Sequence, residues 1–378
     1  MRLPRFEHLQ PNSLEEALDL LSEYGEEAKV IAGGTDLLVT MKHRLLTPQY
    51  LLDLKGLGLD FIEESQEVLK IGALTRLTTL TKSPLVRERF PVLAQAASCV
   101  AAPPLRNMAT LGGNLCLNTR CFFYNQSQFW RQARPPCFKT GGEMCHAVKG
   151  ADHCYSAYQA DLAPVLIALE ARVKVQSSNS KVQGSNSKKV SERAIPLLDL
   201  YTGQGEKPIA LEAGEILTEV EIPTPIIAES EIRNPKSEIR WGGDYQKLRY
   251  RGAMDFPLLG VAAVLHWNDG TCVKAKVVLT AVASAPVVVE QASKLLEGSE
   301  LDEEVIAQAA EAAHDAAHPI AKIGSTPRYR RKMVRVLTRR AIAKAWEGSK
   351  GAGEQGRHGE GEMGGRDGKA DHSIDSQW

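Results

Sequence analysis

Four cysteines share one short stretch of the chain: Cys121, Cys137, Cys145 and Cys154, spaced C-x15-C-x7-C-x8-C. If the protein is cytoplasmic, as the lack of an apolar signal-peptide core at Met1–Glu7 leads us to expect, clustered thiols are better read as metal ligands than as disulfides, because the cytosol keeps thiols reduced. The spacing does not choose the metal. It lacks both the C-x2-C knuckles of zinc ribbons and the close runs of small ferredoxins. Residues 119–158 also hold Phe122, Phe123, Tyr124, Phe129, Trp130, Phe138, Tyr155 and Tyr158, eight of the 22 aromatic residues of the chain. A loop of that composition can wrap a cluster in an apolar shell that limits solvent access. On these residues alone three readings stay open: an iron–sulfur cluster, a structural zinc, or unligated thiols. The zinc could be held by all four cysteines, or by three of them with His146 or His153. Cys99, Cys116 and Cys272 fall in regular elements or beside a turn and default to small buried hydrophobes.

Two paired-glycine turns form the second chemical feature. In the first, Lys29-Val30-Ile31-Ala32 reads as a short buried strand that breaks at Gly33-Gly34 and restarts as a helix at Thr35-Asp36-Leu37. Strand, glycine turn and helix start present free N–H groups to an anion. Asp36 is expected to order the helix start, since a carboxylate beside a phosphate would repel it. The second turn is Ala109-Thr110-Leu111-Gly112-Gly113-Asn114, flanked by a hydroxyl and an amide. Two such turns suit a dinucleotide with two phosphates, while a pair of plain structural turns would read the same way. Gly34 and Gly113 are the expected points of closest backbone approach. No G-x-G-x-x-G opens a βαβ unit, which disfavours a Rossmann domain.

The elements that must position these groups follow from periodicity. The chain has 378 residues and formal charge zero, with 46 basic and 46 acidic side chains. The length implies two or three domains, and the balance gives no case for nucleic acid or an anionic membrane. No run approaches the roughly 20 apolar residues of a membrane span, and a cytoplasmic location is expected. A helix is expected over 12–24, from Leu14, Ala17, Leu18 and Leu21. Strands are expected at 50–54 and 67–72, and helices at 75–82 and 84–101. A buried helix runs from Asp161-Leu162-Ala163-Pro164 to Leu169, and a strand follows at 172–175. The cysteine segment therefore reads as an insertion between two scaffold elements. The direct repeat over 174–187, and the shorter one pairing Ser230–Arg233 with Ser237–Arg240, read as surface-loop insertions. Strands near 244–249, 258–267 and 272–281 precede helices at 287–296, 301–317 and 326–347. Residues 348–378 are Gly-rich and aperiodic and are expected to be a disordered tail.

Taken together, Ile31-Ala32-Gly33-Gly34-Thr35-Asp36-Leu37, Ala109-Thr110-Leu111-Gly112-Gly113-Asn114, Asp161-Leu162-Ala163-Pro164, Gly214-Glu215-Ile216-Leu217, Tyr245-Gln246-Lys247-Leu248 and Tyr329-Arg330-Arg331-Lys332-Met333 resemble the flavoprotein subunits of the xanthine dehydrogenase and molybdenum hydroxylase family. The resemblance covers about residues 1–347. It implies an α+β fold: a two-lobed, PCMH-type FAD-binding domain (lobe 1 at 1–55, lobe 2 at 56–225) and a C-terminal α+β flavoprotein domain at 241–347. It implies that both glycine turns hold the FAD pyrophosphate, that Asp161 contacts the cofactor's polar chain, and that Lys247 lies near the isoalloxazine ring. The position of an aromatic that stacks on FAD in xanthine dehydrogenases falls at Val100-Ala101. The implied cofactor-binding set is Lys29, Val30, Ile31, Ala32, Gly33, Gly34, Thr35, Asp36, Leu37, Val100, Ala101, Ala109, Thr110, Gly113, Asn114, Cys116, Asp161 and Lys247.

A four-cysteine insertion at 119–158 is similar to that of the 4-hydroxybenzoyl-CoA reductase branch, whose beta subunits carry a [4Fe-4S] cluster there. That branch implies Cys121, Cys137, Cys145 and Cys154 as ligands and an electron-transfer role. A ferredoxin would be the donor, with partners carrying molybdenum cofactor (the large subunit) and two [2Fe-2S] clusters (the small subunit) in a dimer of heterotrimers. No side chain of this chain is then expected to act as acid, base or nucleophile. Two rivals stand beside this reading. One is the FAD subunit of an NAD-linked hydroxylase with a structural zinc loop. The other is a zinc-loop assembly module with a vestigial flavin site.

Overall fold

The computed structural model describes residues 2–65, 67–179, 189–224 and 239–351. The chain opens with a small parallel sheet. Strands β1 (Glu7–Leu9), β2 (Ala28–Ile31) and β3 (Tyr50–Asp53) lie in the order β1-β3-β2. Helix α1 (Leu14–Tyr24) begins where the Ser13 hydroxyl accepts the Glu16 N–H, and it buries Ala17, Leu18 and Leu21 against Leu52, Leu54 and Ile216. Helix α2 (Leu37–Lys42) follows the first glycine turn. β1 has only three residues and no pattern of its own; parallel pairing with β3 makes it a strand.

The second lobe is a five-stranded antiparallel sheet in the order β4-β5-β8-β6-β7, from β4 (Ile62–Glu64), β5 (Val68–Gly72), β6 (Arg172–Asn179), β7 (Lys189–Pro196) and β8 (Glu215–Pro223). Between β5 and β6 run α3 (Leu77–Lys82), α4 (Pro84–Arg89), α5 (Pro91–Cys99), α6 (Pro103–Arg106), α7 (Leu111–Leu115), α8 (Gln128–Gln132) and α9 (Leu162–Ala168). The single helix expected over 84–101 is two helices, because Phe90 leaves helical geometry at φ −138° before Pro91. Every residue of α9 is buried.

The expectation that the 174–187 repeat forms a surface loop is corrected for its first copy. Lys174–Asn179 lies in β6, where Lys174 Nζ bridges Glu219 at 3.0 Å and Glu221 at 2.9 Å. The rest of that repeat, and the shorter repeat except Ile239 and Arg240, lies outside the described residues. Arg240 begins a strand and is not loop.

The C-terminal unit is an antiparallel sheet in the order β12-β11-β10-β9, formed by β9 (Arg240–Leu248), β10 (Leu259–Asn268), β11 (Thr271–Thr280) and β12 (Val287–Val288). Helices α10 (Glu290–Leu296), α11 (Glu303–Ala316) and α12 (Pro327–Gly351) cover one face. β10 is buried along nine of its ten residues, and the pleat divides it. Val261, Ala263 and Leu265 join the helical core, whereas Ala262 and Val264 join the core of the second lobe. The helix expected to end at 347 continues to Gly351, so the first residues of the expected tail are helical; residues 352–378 lie outside the described residues. Among the described residues no helix is long and apolar enough to cross a membrane.

Candidate flavin site and cysteine loop

The two glycine turns meet. A Cβ on Gly33 would stand 1.9 Å from the Met108 carbonyl oxygen and 3.0 Å from Ala109 Cα, so only glycine lets the first turn close on the second. Gly33 therefore serves contact between the two turns. Gly34 has a different need: its φ of +67° lies in the left-handed region, which turns the chain into α2.

The turns differ in where their N–H groups go. Among the described residues, no protein acceptor takes the N–H of Gly34, Thr35 or Asp36. In the second turn the four consecutive N–H groups from Leu111 to Asn114 are engaged. Leu111 N–H donates to Thr75 O at 2.9 Å, Gly112 N–H to Ala73 O at 2.8 Å, Gly113 N–H to Thr110 Oγ1 at 3.2 Å and Asn114 N–H to Thr110 O at 3.0 Å. Asn114 Oδ1 accepts the Leu162 N–H at 3.3 Å, tying this turn to the start of α9. The two turns therefore do not offer equivalent N–H cradles, as the sequence suggested. The first leaves donors of the kind an anion accepts, and the second is braced by the protein itself.

Asp161 starts α9 and is almost fully buried. Its Oδ1 accepts the Tyr245 hydroxyl at 2.8 Å and its Oδ2 accepts Lys247 Nζ at 2.9 Å. Lys247 Nζ also donates to Cys99 O at 2.9 Å, beside Val100-Ala101. Burial pushes the Asp161 carboxyl up, against the opposing pull of Lys247. Both side chains are at most 4% exposed, so removing either charge would strand the other at a cost of about 3–5 kcal/mol. Sequence reasoning missed Tyr245. The signal was available: two residues before Lys247 on one strand, it must share that face. Ala101, at φ +44°, accepts the Met254 N–H at 3.1 Å. Cys116 packs against the lobe 2 core near Tyr158 and Tyr201, and burial pushes its thiol up to about 12. Lys29–Ala32 form β2 and the turn's approach, where they place the first turn.

Asp36 stands just before α2, as expected, but makes no capping hydrogen bond. Its carboxylate pairs with Arg120, whose guanidinium also lies 4.2 Å over the Phe256 ring. Arg120 is the base of the cysteine loop, where its backbone exchanges hydrogen bonds of 2.7 and 2.9 Å with Ala157. A second tie runs from Arg131 in α8 to the end of α2, through His43 O at 3.2 Å and Arg44 O at 2.8 Å. The insertion is thus fastened twice to the helix that follows the first glycine turn. Nothing local in the sequence signals either arginine, since the partners lie more than 80 residues away.

The four expected cysteines come together. Cys121, Cys137, Cys145 and Cys154 line one cavity with Tyr124, Phe138, Lys139 and Met144. The room between them is about 20 Å³, so seating a cluster means moving the rim, where Met144 is exposed, outward. Burial pushes the Cys121 thiol up, while the N–H groups of Tyr124 and Phe123 draw it down. Cys154 behaves alike, raised by burial and lowered by Ser156 and Lys139. Gly205 seats this cysteine, for a Cβ there would lie 2.4 Å from Cys154 O, and Glu206 Oε1 accepts the Cys154 N–H at 2.6 Å.

Lys139 Nζ is held by Asn118 Oδ1 at 2.8 Å and by the Thr119 hydroxyl, and burial lowers it to about 8. His146 Nε2 contacts Pro135 O at 2.9 Å, and His153 Nδ1 contacts Asp152 at 2.6 Å. Among the described residues, the only three His, Cys, Asp or Glu ligand atoms all within 4.8 Å of one another belong to Glu311, His314 and Asp315 on α11. No three loop ligands reach that span, whereas a tetrahedral ion with bonds near 2.3 Å holds its sulfurs roughly 3.8 Å apart. Four thiols lining one cavity are a donor set of the kind that holds a cluster or a metal ion.

Comparison with known proteins completes the assignment. Residues 4–225 match the family described as FAD binding domain in molybdopterin dehydrogenase, and residues 244–345 match the CO dehydrogenase flavoprotein C-terminal domain. The aldehyde oxidoreductase FAD-binding subunit PaoB of Escherichia coli is 34% identical over 317 residues, 78% of this chain and 85% of that protein. The carbon monoxide dehydrogenase medium chain of Afipia carboxidovorans is 29% identical over 90% of this chain and 96% of its own length. The solved carbon monoxide dehydrogenase of Hydrogenophaga pseudoflava, in a form lacking the Mo-pyranopterin moiety, superimposes with a TM-score of 0.71 at 28% identity, over 92% of this chain and 99% of that one. By family match, sequence identity and fold alike, the chain belongs to the FAD-binding subunits of the molybdenum hydroxylase and CO dehydrogenase family.

Proposed function

We propose that this chain is an electron-transfer subunit carrying FAD and one [4Fe-4S] cluster, within a molybdenum enzyme of the 4-hydroxybenzoyl-CoA reductase type. Cys121, Cys137, Cys145 and Cys154 hold the cluster. The free N–H groups of Gly34, Thr35 and Asp36 face the FAD pyrophosphate; Gly113, Thr110 and Asn114 form the opposite wall. Lys247, fixed by Asp161, sits at the ring end. The cofactors supply the redox chemistry, and the chain supplies position and shielding. The substrate, an aromatic CoA thioester, is converted on a partner subunit with molybdenum cofactor. A small subunit with two [2Fe-2S] clusters completes a heterotrimer, and the heterotrimers pair. A ferredoxin is the donor, in the cytoplasm.

One observation carries this reading: four thiols converge in a loop whose base, Arg120, is paired to Asp36 of the flavin turn. A second reading draws on the 34% identity to an aldehyde oxidoreductase subunit. It keeps both cofactors and reverses the traffic, with electrons leaving through the loop after substrate oxidation.

Cys137→Ser tests the loop. In anaerobically purified protein it should remove about four irons per chain while FAD stays bound, and it should sharply slow flavin reduction by a low-potential donor. Loss of one zinc with unchanged electron transfer would make the loop a structural clip. Reduction of FAD by aldehyde and the molybdenum partner, with no turnover of an aromatic CoA thioester, would establish the second reading.

A further inference from the structure

A cavity of about 570 Å³ lies between the loop and the end of α2 and borders the thiol cavity, with which it shares Cys137 and Lys139. Arg44, Arg131, Arg134 and Lys139 line it, with Trp130 and Phe123 as flat apolar wall, and no carboxylate is among the lining residues. None of the four cations has a carboxylate partner among the described residues. Arg131 is bound only to carbonyl oxygens, and Arg134 lies 4.3 Å over the Trp130 ring. Arg44 Nη1 is buried and has no hydrogen-bond partner, on a residue held at φ +54°.

We propose that this cavity binds a planar aromatic phosphate of nucleotide size, at a site separate from the flavin and bordering the cysteine cavity at Cys137. Guanidinium forks match phosphate oxygens in bidentate fashion, and an indole face beside them accepts a stacked heterocycle. The volume suits a ligand of that size and is far larger than a lone phosphate or a benzoate needs. Charge alone would also draw inorganic polyanions, so the aromatic wall is what makes the site selective. A ligand there would touch both α8 and the end of α2 and so clamp the loop to the first lobe.

The test is isothermal titration calorimetry of full-length, FAD-saturated protein with ADP, with tripolyphosphate and benzoate as controls. One ADP per chain is expected, with at least tenfold weaker binding of either control. Arg134→Ala, at an exposed position, and Trp130→Ala should each weaken ADP at least tenfold with the flavin absorbance unchanged. Absence of saturable ADP binding would overturn the proposal. So would tripolyphosphate binding as tightly as ADP, which leaves only a charged patch suited to an acidic protein. So would ADP binding that ignores both substitutions, since the nucleotide would then sit elsewhere.

Discussion

The two glycine turns look interchangeable as strings of residues and do different work. The first leaves three consecutive N–H groups without a protein acceptor among the described residues, and the second has the four from Leu111 to Asn114 engaged. The first uses Gly33 to touch Met108 and Gly34 to reach a left-handed backbone; in the second, Gly112 packs against Ala73 and Gly113 meets only its own Thr110 cap. A paired glycine therefore announces that a Cβ is unwelcome, without saying whether ligand, neighbouring backbone or torsion is the reason.

Single substitutions would break or sharpen this contrast. Gly33→Val should have the largest effect, because its Cβ cannot coexist with the Met108 carbonyl and the turns must part. Destabilisation of about 3 kcal/mol or more and loss of most bound FAD are expected, read from thermal melts and the flavin to protein absorbance ratio. Full FAD content would mean that the turns need not touch. Gly34→Ala comes next. Holding a side chain at φ +67° costs about 1–2 kcal/mol, with Leu38 Cδ1 already 3.2 Å away. A moderate stability loss and a several-fold higher FAD dissociation constant are expected. The smallest change belongs to Gly113→Ala, where a gain of about 1 kcal/mol in helix propensity opposes crowding of Thr110 Oγ1 at 2.9 Å. Near-native stability and FAD content are expected; an FAD loss exceeding that of Gly34→Ala would reverse the assignment of roles.

What the sequence made legible was local. The helix at α1 follows from Leu14, Ala17, Leu18 and Leu21 behind a serine cap, and the convergence of four cysteines follows from their isolation in an aromatic insertion. What it hid depended on distant partners. The acceptors that engage the second turn, Ala73 and Thr75, lie some forty residues upstream, and Arg120 finds Asp36 more than eighty residues away. β1 becomes a strand only through β3, and the first copy of the polar repeat does so only because β7 and β8 flank it. The split between α4 and α5 was readable at Pro91, whose effect on Phe90 is a rule of local sterics.

The division of β10 between two cores bears on modularity. Its even-numbered side chains Ala262 and Val264 complete the interior of the preceding lobe, together with Tyr245 from β9, whose hydroxyl holds Asp161. A fragment ending near residue 225 would keep both glycine turns and all four cysteines, yet lose an apolar wall and the partners of its buried aspartate. The two family segments that meet in this chain are therefore not interchangeable cassettes. Any gene fusion, domain swap or minimal expression fragment that separates them would have to supply a substitute for one face of a single strand.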